Sequence, residues 1–246
     1  MFIRGVADRI HLLQHAYVNV YLIEDADGIT LIDSGVPPMW KMLLGALREL
    51  NRPLSDVKGL IITHPHFDHM GFAARAQKEL GLPVLVHEAD SFIARHPYRY
   101  SHEKTRTFYP MRHPGALPVL GALWATGLGI KGIEQFQPLL PGPVNFLPGR
   151  PHVIHTPGHT DGHCVLHFPD RGAVVTGDAL VTLDPYTGRK GPRIVAAGST
   201  NRTSDALSSL SGIAETAAQA VLPGHGVPWL GGAAEAVRLA RTRGAI

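Results

Sequence analysis

ITHPHFDHMG, residues 62–71, sets His64, His66, Asp68 and His69 directly behind the apolar run Leu60-Ile61-Ile62. An H-x-H-x-D-H string arises by chance in only about three of a thousand chains of this composition. His64 and His66 are two apart, so in an extended segment both imidazoles point the same way. Asp68 and His69 follow where a helix is expected to begin and can turn toward a second point. An apolar strand that empties into such a loop is how sites are built on rigid scaffolds.

Four other segments repeat the pattern of an apolar run ending in His or Asp, most beside Gly. They are LIDSG (31–35), VIHTPGHTDGH (153–163), VVTGDAL (174–180) and VLPGHG (221–226). Between them the chain reads as alternating strands and helices, which is α/β. VNVYLIEDADGITLID (18–33) reads as two strands joined at Asp27-Gly28. Pro37-Pro38 opens a helix with Leu43, Leu47 and Leu50 on one face. The spacing predicts a strand over 60–63, a helix from about His69 to Leu80 and a strand ending at His87. Strands near 152–156, 163–168, 172–176 and 220–222 and helices near 205–218 and from Ala233 complete the set. Residues 1–246 are read as one domain, with 90–150 as an irregular, lid-like insertion.

Composition sets the outer limits. The chain has 246 residues, 44% hydrophobic and 17% charged, enough for a buried core and unlike a disordered chain. A net charge of +3 is too small to argue for nucleic acid. The single cysteine, Cys164, excludes an intramolecular disulfide framework and suits a reducing compartment. MFIRGVADRIHLL offers no signal-peptide pattern and the weakly charged stretch near 114–130 is broken by Pro and Gly. A cytoplasmic protein without a membrane span is expected.

The strand ends collect His64, His66, His69, His159 and His225 with Asp68 and Asp178, a donor set that suits a pair of borderline divalent ions such as zinc. In order and wording, THPHFDH, TPGHTDGH, TGDAL and PGHG, with Asp33 of LIDSG, resemble the metallo-β-lactamase-fold hydrolase superfamily. The resemblance spans residues 31 to 226. It implies an αββα sandwich with the metal site at one edge of the two sheets. It implies that His64, His66 and His159 bind one ion, that Asp68, His69 and His225 bind the other, that Asp178 bridges them, and that Asp33 orients a ligand histidine. Zinc is the expected metal, with iron or manganese as alternatives.

Aspartate at 178 departs from those lactamases of this fold that place a cysteine ligand there, and His66 departs from the flavodiiron branch, which carries Glu. What remains resembles the glyoxalase II and acyl-homoserine lactonase group. The short stretch after His225 lacks room for a glutathione-binding helical domain, which argues against a glutathione thioester. The expected reaction is attack of a metal-bridging hydroxide on an ester, lactone or thioester carbonyl, with Asp68 orienting the nucleophile. The small-molecule substrate is expected to carry an apolar acyl part. Rival readings are a mononuclear iron dioxygenase acting on a thiol or persulfide, a nucleic-acid phosphodiesterase, and a non-catalytic binding protein.

Other residues carry weaker signals. His163 reads as a hydrogen-bonding support or core residue; His152, His155 and His167 read as structural, and Cys164 as a small apolar side chain. Residues 113–149 hold only Lys131 and Glu134 as charges. Leu117, Leu120, Leu123, Trp124, Leu128 and Ile130 there suggest an apolar lid, core packing or a homodimer face. ARHPYRYSHEKTRTFYPMRH (94–113) interleaves basic and aromatic residues, as nucleic-acid surfaces and ordinary solvated faces both do. Tyr186, Arg189 and Lys190 are either substrate contacts or a surface loop.

Overall fold

A computed structural model describes residues 1–106 and 109–245. A seven-stranded sheet has the order β1 (Phe2–Ala7), β2 (Ile10–His15), β3 (Val18–Asp25), β4 (Gly28–Ile32), β5 (Val57–Ile61), β6 (Val84–Val86), β7 (Gln137–Pro138). The first four strands form an antiparallel meander, and β4 to β7 run parallel. A five-stranded sheet contains β8 (Gly142–Pro143), β9 (His152–His155), β10 (Cys164–Phe168), β11 (Ala173–Gly177) and β14 (Ala220–Pro223), in the order β14-β11-β10-β9-β8. A separate ribbon pairs β12 (Val181–Leu183) with β13 (Lys190–Arg193).

Alternation along the strands decides what each face meets. Tyr21, Ile23, Leu12 and Ile61 of the first sheet pack against Val153, Leu166, Phe168 and Leu222 of the second, forming the core between the sheets. Val20, Leu22, Leu31 and Leu60 point the other way, onto helices α1 (Met39–Glu49) and α2 (Ala73–Leu80). Val165, Val174 and Val221 do the same for the second sheet, onto α6 (Thr203–Glu215) and α7 (Ala233–Arg243). The result is the expected αββα sandwich.

Three details depart from the sequence reading. The chain begins with a hairpin of β1 and β2 that the sequence pattern does not announce. The helix expected from His69 starts at Ala73, because Phe67–His69 forms a single 3-10 turn. Gly71 follows that turn where a Cβ would lie 2.3 Å from Gly35 O and Val36 Cα, so only glycine lets the two backbones approach this closely. Residues 90–150, expected to be irregular, contain α3 (Ser91–Arg95), α4 (Tyr109–Arg112) and α5 (Leu117–Thr126). The short strands β7 and β8 then stitch this segment to an edge of each sheet.

Strand directions bring the polar ends together. β4 and β5 are parallel neighbours in one sheet; β9, β11 and β14 run the same way in the other. Their C-terminal ends share one edge. There Asn19 N donates to Gly224 O and a bridge joins Val18 to His225, tying the two sheets at the rim.

Candidate metal centre

His64 and His66 leave the end of β5, Asp68 and His69 stand on the 3-10 turn, and His159, Asp178 and His225 come from the loops after β9, β11 and β14. All seven are buried. The donor atoms form three groups, each within 4.8 Å: His64, His66 and His159; His64, His69 and Asp178; Asp68, His69 and His225. Asp178 lies among them all. Its Oδ2 is 3.6 Å from His159 Nε2 and 3.3 Å from His225 Nε2, and its Oδ1 is 3.6 Å from His69 Nε2. Asp68 Oδ2 is 3.3 Å from His225 Nε2.

The inward-facing atoms fit a metal centre by a test internal to the molecule. Buried polar atoms are normally hydrogen-bonded. Yet Nε2 of His64, His66, His69 and His225 and Oδ1 of Asp178 are buried with no hydrogen-bond partner among the described residues. Nε2 of His64, His69 and His225 lies 3.9, 3.6 and 3.3 Å from the Asp178 carboxylate oxygens. At His66 it is Nδ1 that faces inward, 3.1 Å from His159 Nε2. Polar atoms crowded together this way are costly unless a cation meets them.

The outward atoms are held. Asp33, in the left-handed region at φ 62°, accepts from Thr63 N at 2.7 Å and from the Thr63 hydroxyl at 2.8 Å, and its Oδ2 is 2.8 Å from His69 Nδ1. His225 Nδ1 donates to Tyr17 O at 2.9 Å, which leaves Nε2 as the free donor atom. His159 Nδ1 lies 3.3 Å from Thr200 Oγ1. Such partners fix the ring orientation that a metal needs.

His163 sits inside the same cluster but serves a different end. Its Nδ1 pairs with Thr156 Oγ1 at 2.9 Å, and Nε2 accepts from the backbone N–H of Asp178 at 3.0 Å and of Ala179 at 3.2 Å. Burial drives its pKa down to about 3, consistent with a neutral ring that positions the Asp178 loop.

Burial, then neighbouring histidines, hold His64 and His159 well below the usual imidazole range; burial and His159 do the same to His66. For His69 burial also acts downward, but Asp33, Asp178 and Asp68 override it and raise the pKa to about 9. His225 is raised in the same way by Asp178 and Asp68. Burial pushes Asp68 and Asp178 upward, and the facing histidines outweigh it, so both stay ionised.

A cavity of about 450 Å³ opens beside His159, with walls that include Phe92, Ile93, Arg99, Tyr100, Ser101 and Asp161. Tyr100 stacks on His66, ring centroids 3.6 Å apart, and the Arg106 guanidinium carbon sits 4.3 Å from the Tyr100 ring centroid. Neither residue stood out in the sequence, where the basic and aromatic residues of 94–113 read as one undifferentiated face; Phe108 of that stretch lies outside the described residues. No signal short of the fold would have selected them.

Tyr186 approaches this wall, 5.9 Å from the Arg106 guanidinium carbon, whereas Arg189 and Lys190 are exposed. Val119 and Leu123 of α5 enter the core with Ile130 beyond it, while Leu117 and Trp124 of α5 and Leu128 just after it are exposed. Residues 114–140 contribute nothing to the cavity lining, which combines the start of the insertion with the loop at His159–Asp161 and Asn201. Gly127 instead backs onto the Phe67 ring, outside the ligand loop. Cys164 is buried and its thiol pushed up to about 12 by burial, which makes it unreactive. No described helix is long and apolar enough to cross a membrane.

Residues 15–225 match the model of the metallo-beta-lactamase superfamily. The probable metallo-hydrolase YflN of Bacillus subtilis (strain 168) is 28% identical over 238 residues, covering 92% of this chain and 86% of YflN. The probable metallo-hydrolase YqjP of the same organism is 27% identical over 244 residues, covering 86% and 67%. Among solved structures, a metallo-beta-lactamase family protein from Thermus thermophilus superposes with a TM-score of 0.65 at 24% identity, over 98% of this chain and 77% of that one. TTHA1623 in a di-iron-bound form gives 0.63 at 24%, over 89% and 92%. The structural likenesses bear on the fold.

Proposed function

Because the chain belongs to the metallo-beta-lactamase superfamily and is a metal-dependent hydrolase, we propose that it cleaves an ester, lactone or thioester with two divalent metal ions at the rim. In this reading His64, His66 and His159 hold one ion, Asp68, His69 and His225 hold the other, and Asp178 lies between. Zinc suits a set dominated by imidazole. The di-iron-bound relative in fold makes iron the first alternative and manganese the second. The observation that carries the proposal is the set of buried, unpartnered donor atoms converging at the rim.

When bound, such a pair of ions supplies a water acidified toward neutrality and a Lewis acid for the carbonyl oxygen. The chain's own groups do the rest. Asp68 stays ionised and faces the convergence point, where its carboxylate orients the attacking water and accepts a hydrogen bond from it. Asp33 keeps His69 turned inward, and His163 keeps the Asp178 backbone in place. The acyl part of the substrate lies in the cavity beside His159, against Phe92, Ile93 and the Tyr100 ring. The first part of the segment 90–150, up to Ser101, thus acts as a wall of the site. A cytoplasmic location belongs to the same reading, on the lone buried cysteine.

The test is elemental analysis of protein purified without chelator, followed by a panel of lactones, thioesters and aryl esters. Close to two ions per chain and hydrolysis of at least one class are expected. One iron per chain with no capacity for a second, and oxygen uptake with a persulfide, would replace this reading by the dioxygenase one.

A further inference from the structure

Arg106 presents a cation that the fold leaves unfinished. Its Nε donates to Gly198 O at 2.8 Å, and Gly198 N in turn donates to Tyr109 Oη at 3.1 Å, so the side chain is anchored to a fixed backbone. Its Nη2 is buried and has no hydrogen-bond partner among the described residues. No ion pair joins Arg106 to any described carboxylate, although arginines elsewhere in this chain, such as Arg52 and Arg171, have them. The guanidinium lies against Tyr100, which stacks on His66, so the cation is one ring removed from the metal centre. Tyr186 approaches the same guanidinium, its ring centroid 5.9 Å from the guanidinium carbon.

A guanidinium packed against an aromatic ring keeps its charge and loses little further freedom when it meets an anion. A buried donor without an acceptor is unfavourable, and a carboxylate satisfies it with a charge-assisted bond. We propose that Arg106, on a platform of Tyr100 and Tyr186, is the binding point for a carboxylate carried by the substrate. The proposal rests on the acyl-hydrolase reading and narrows it: the substrate is an ester, lactone or thioester whose acyl part bears an anionic terminus. The described cavity reaches Tyr100 and Ser101, and Arg106 lies behind the Tyr100 ring rather than in the cavity lining.

Two probes separate this inference from the reading it rests on. Mono-p-nitrophenyl glutarate and p-nitrophenyl valerate have similar acyl length and differ in a terminal carboxylate. On the metal-loaded enzyme the ratio of their kcat/KM values should favour the glutarate by about 10- to 100-fold, the size of a charge-assisted hydrogen bond. Arg106→Gln should bring the ratio close to one at unchanged metal content, and Arg106→Lys should retain part of it. Calorimetry with glutarate alone should show a matching loss of affinity in Arg106→Gln, whether or not any ester is turned over. If neither ester is cleaved but that loss is seen, the carboxylate site stands and the acyl-hydrolase reading falls. If esters are cleaved without preference and glutarate affinity is unmoved by Arg106→Gln, the inference is overturned and the reading stands. A preference lost in Arg99→Gln and kept in Arg106→Gln would also overturn it. So would Arg106-dependent binding of inorganic phosphate with none of glutarate.

Discussion

The two halves of the rim are built from the same backbone device and differ in charge. His64, His66 and His159 surround one point with neutral rings, each held below the usual imidazole range by burial and by other rings. His69 and His225 face Asp68, Asp178 and, for His69, Asp33, and their pKa values are raised. One half offers imidazole alone; the other offers imidazole and carboxylate. Borderline ions suit the first, and harder ions such as manganese find more in the second. Asp178 belongs to both, which makes it the residue through which the halves are coupled.

Replacing Asp178 should therefore have the largest effect. Asp178→Ala is expected to lower kcat/KM by roughly three orders of magnitude or more and bring metal content below one ion per chain. Elemental analysis showing two ions still bound would end its assignment as the shared ligand. Asp33→Asn should sharpen the contrast, because Asp33 contacts His69 directly and reaches His64 only through the Thr63 hydroxyl. Loss of a partner that orients a ligand histidine typically weakens metal binding by about 10- to 100-fold. Competition with a chromogenic chelator should find that loss larger for one of two ions. Equal weakening of both would mean the halves are not separable.

Two smaller effects concern supports. His163→Ala strips the acceptor from two backbone N–H groups and removes a ring stacked 5.0 Å from His64, while leaving every proposed ligand side chain in the chain. A loss of about 2–3 kcal/mol in urea unfolding, with metal stoichiometry retained, is expected; metal loss like that of Asp178→Ala would move His163 into the ligand set. Asp90, buried under the His159 loop, accepts from the Thr160 hydroxyl at 2.5 Å and from Gly162 N at 2.8 Å. Burial raises its pKa to about 6 from 3.8, so the folded protein holds this proton more tightly than the unfolded chain. Stability should consequently fall as pH rises from about 4 to 6, by about 2–3 kcal/mol in total. The wild type minus Asp90→Asn difference in unfolding free energy, measured at pH 4 and pH 7, isolates this contribution, and a flat difference would refute it.

The least effect is expected from the exposed face of α5 and Leu128 just after it. Trp124→Ala with Leu128→Ala should change stability by roughly 0.5 kcal/mol or less each and leave metal content alone. A large change in acyl-chain-length preference in the double variant would restore this helix as a lid over the site.

The rim was legible because its chemistry is concentrated in short motifs at strand ends, where residue type and spacing carry the meaning locally. The wall was not. Tyr100 and Arg106 matter through a stack on His66 that only the packed insertion creates, and in the chain they resemble their neighbours Tyr98 and Arg99. The opening hairpin escaped for a different reason. Its turn places Arg9 at φ 48°, a conformation usually signalled by Gly or Asn, and β1 is only partly buried, so neither turn chemistry nor alternation announces it. The early start expected for α2 failed because the 3-10 turn uses the helix-like stretch to aim Asp68 and His69 inward.

The parallel pairing of β14 with β11 also sets a timetable. His64 to His69 are among the earlier parts of the chain to be made, and His225 is among the last, carried by a strand that pairs only after Asp178 is already in place. At about 5–20 residues per second on the ribosome, the nascent chain displays the first four of the seven proposed ligands for roughly 8–30 s before the last of them exists. If the proposed pair of ions binds, it is thus a certificate of completed assembly, issued by the final strand.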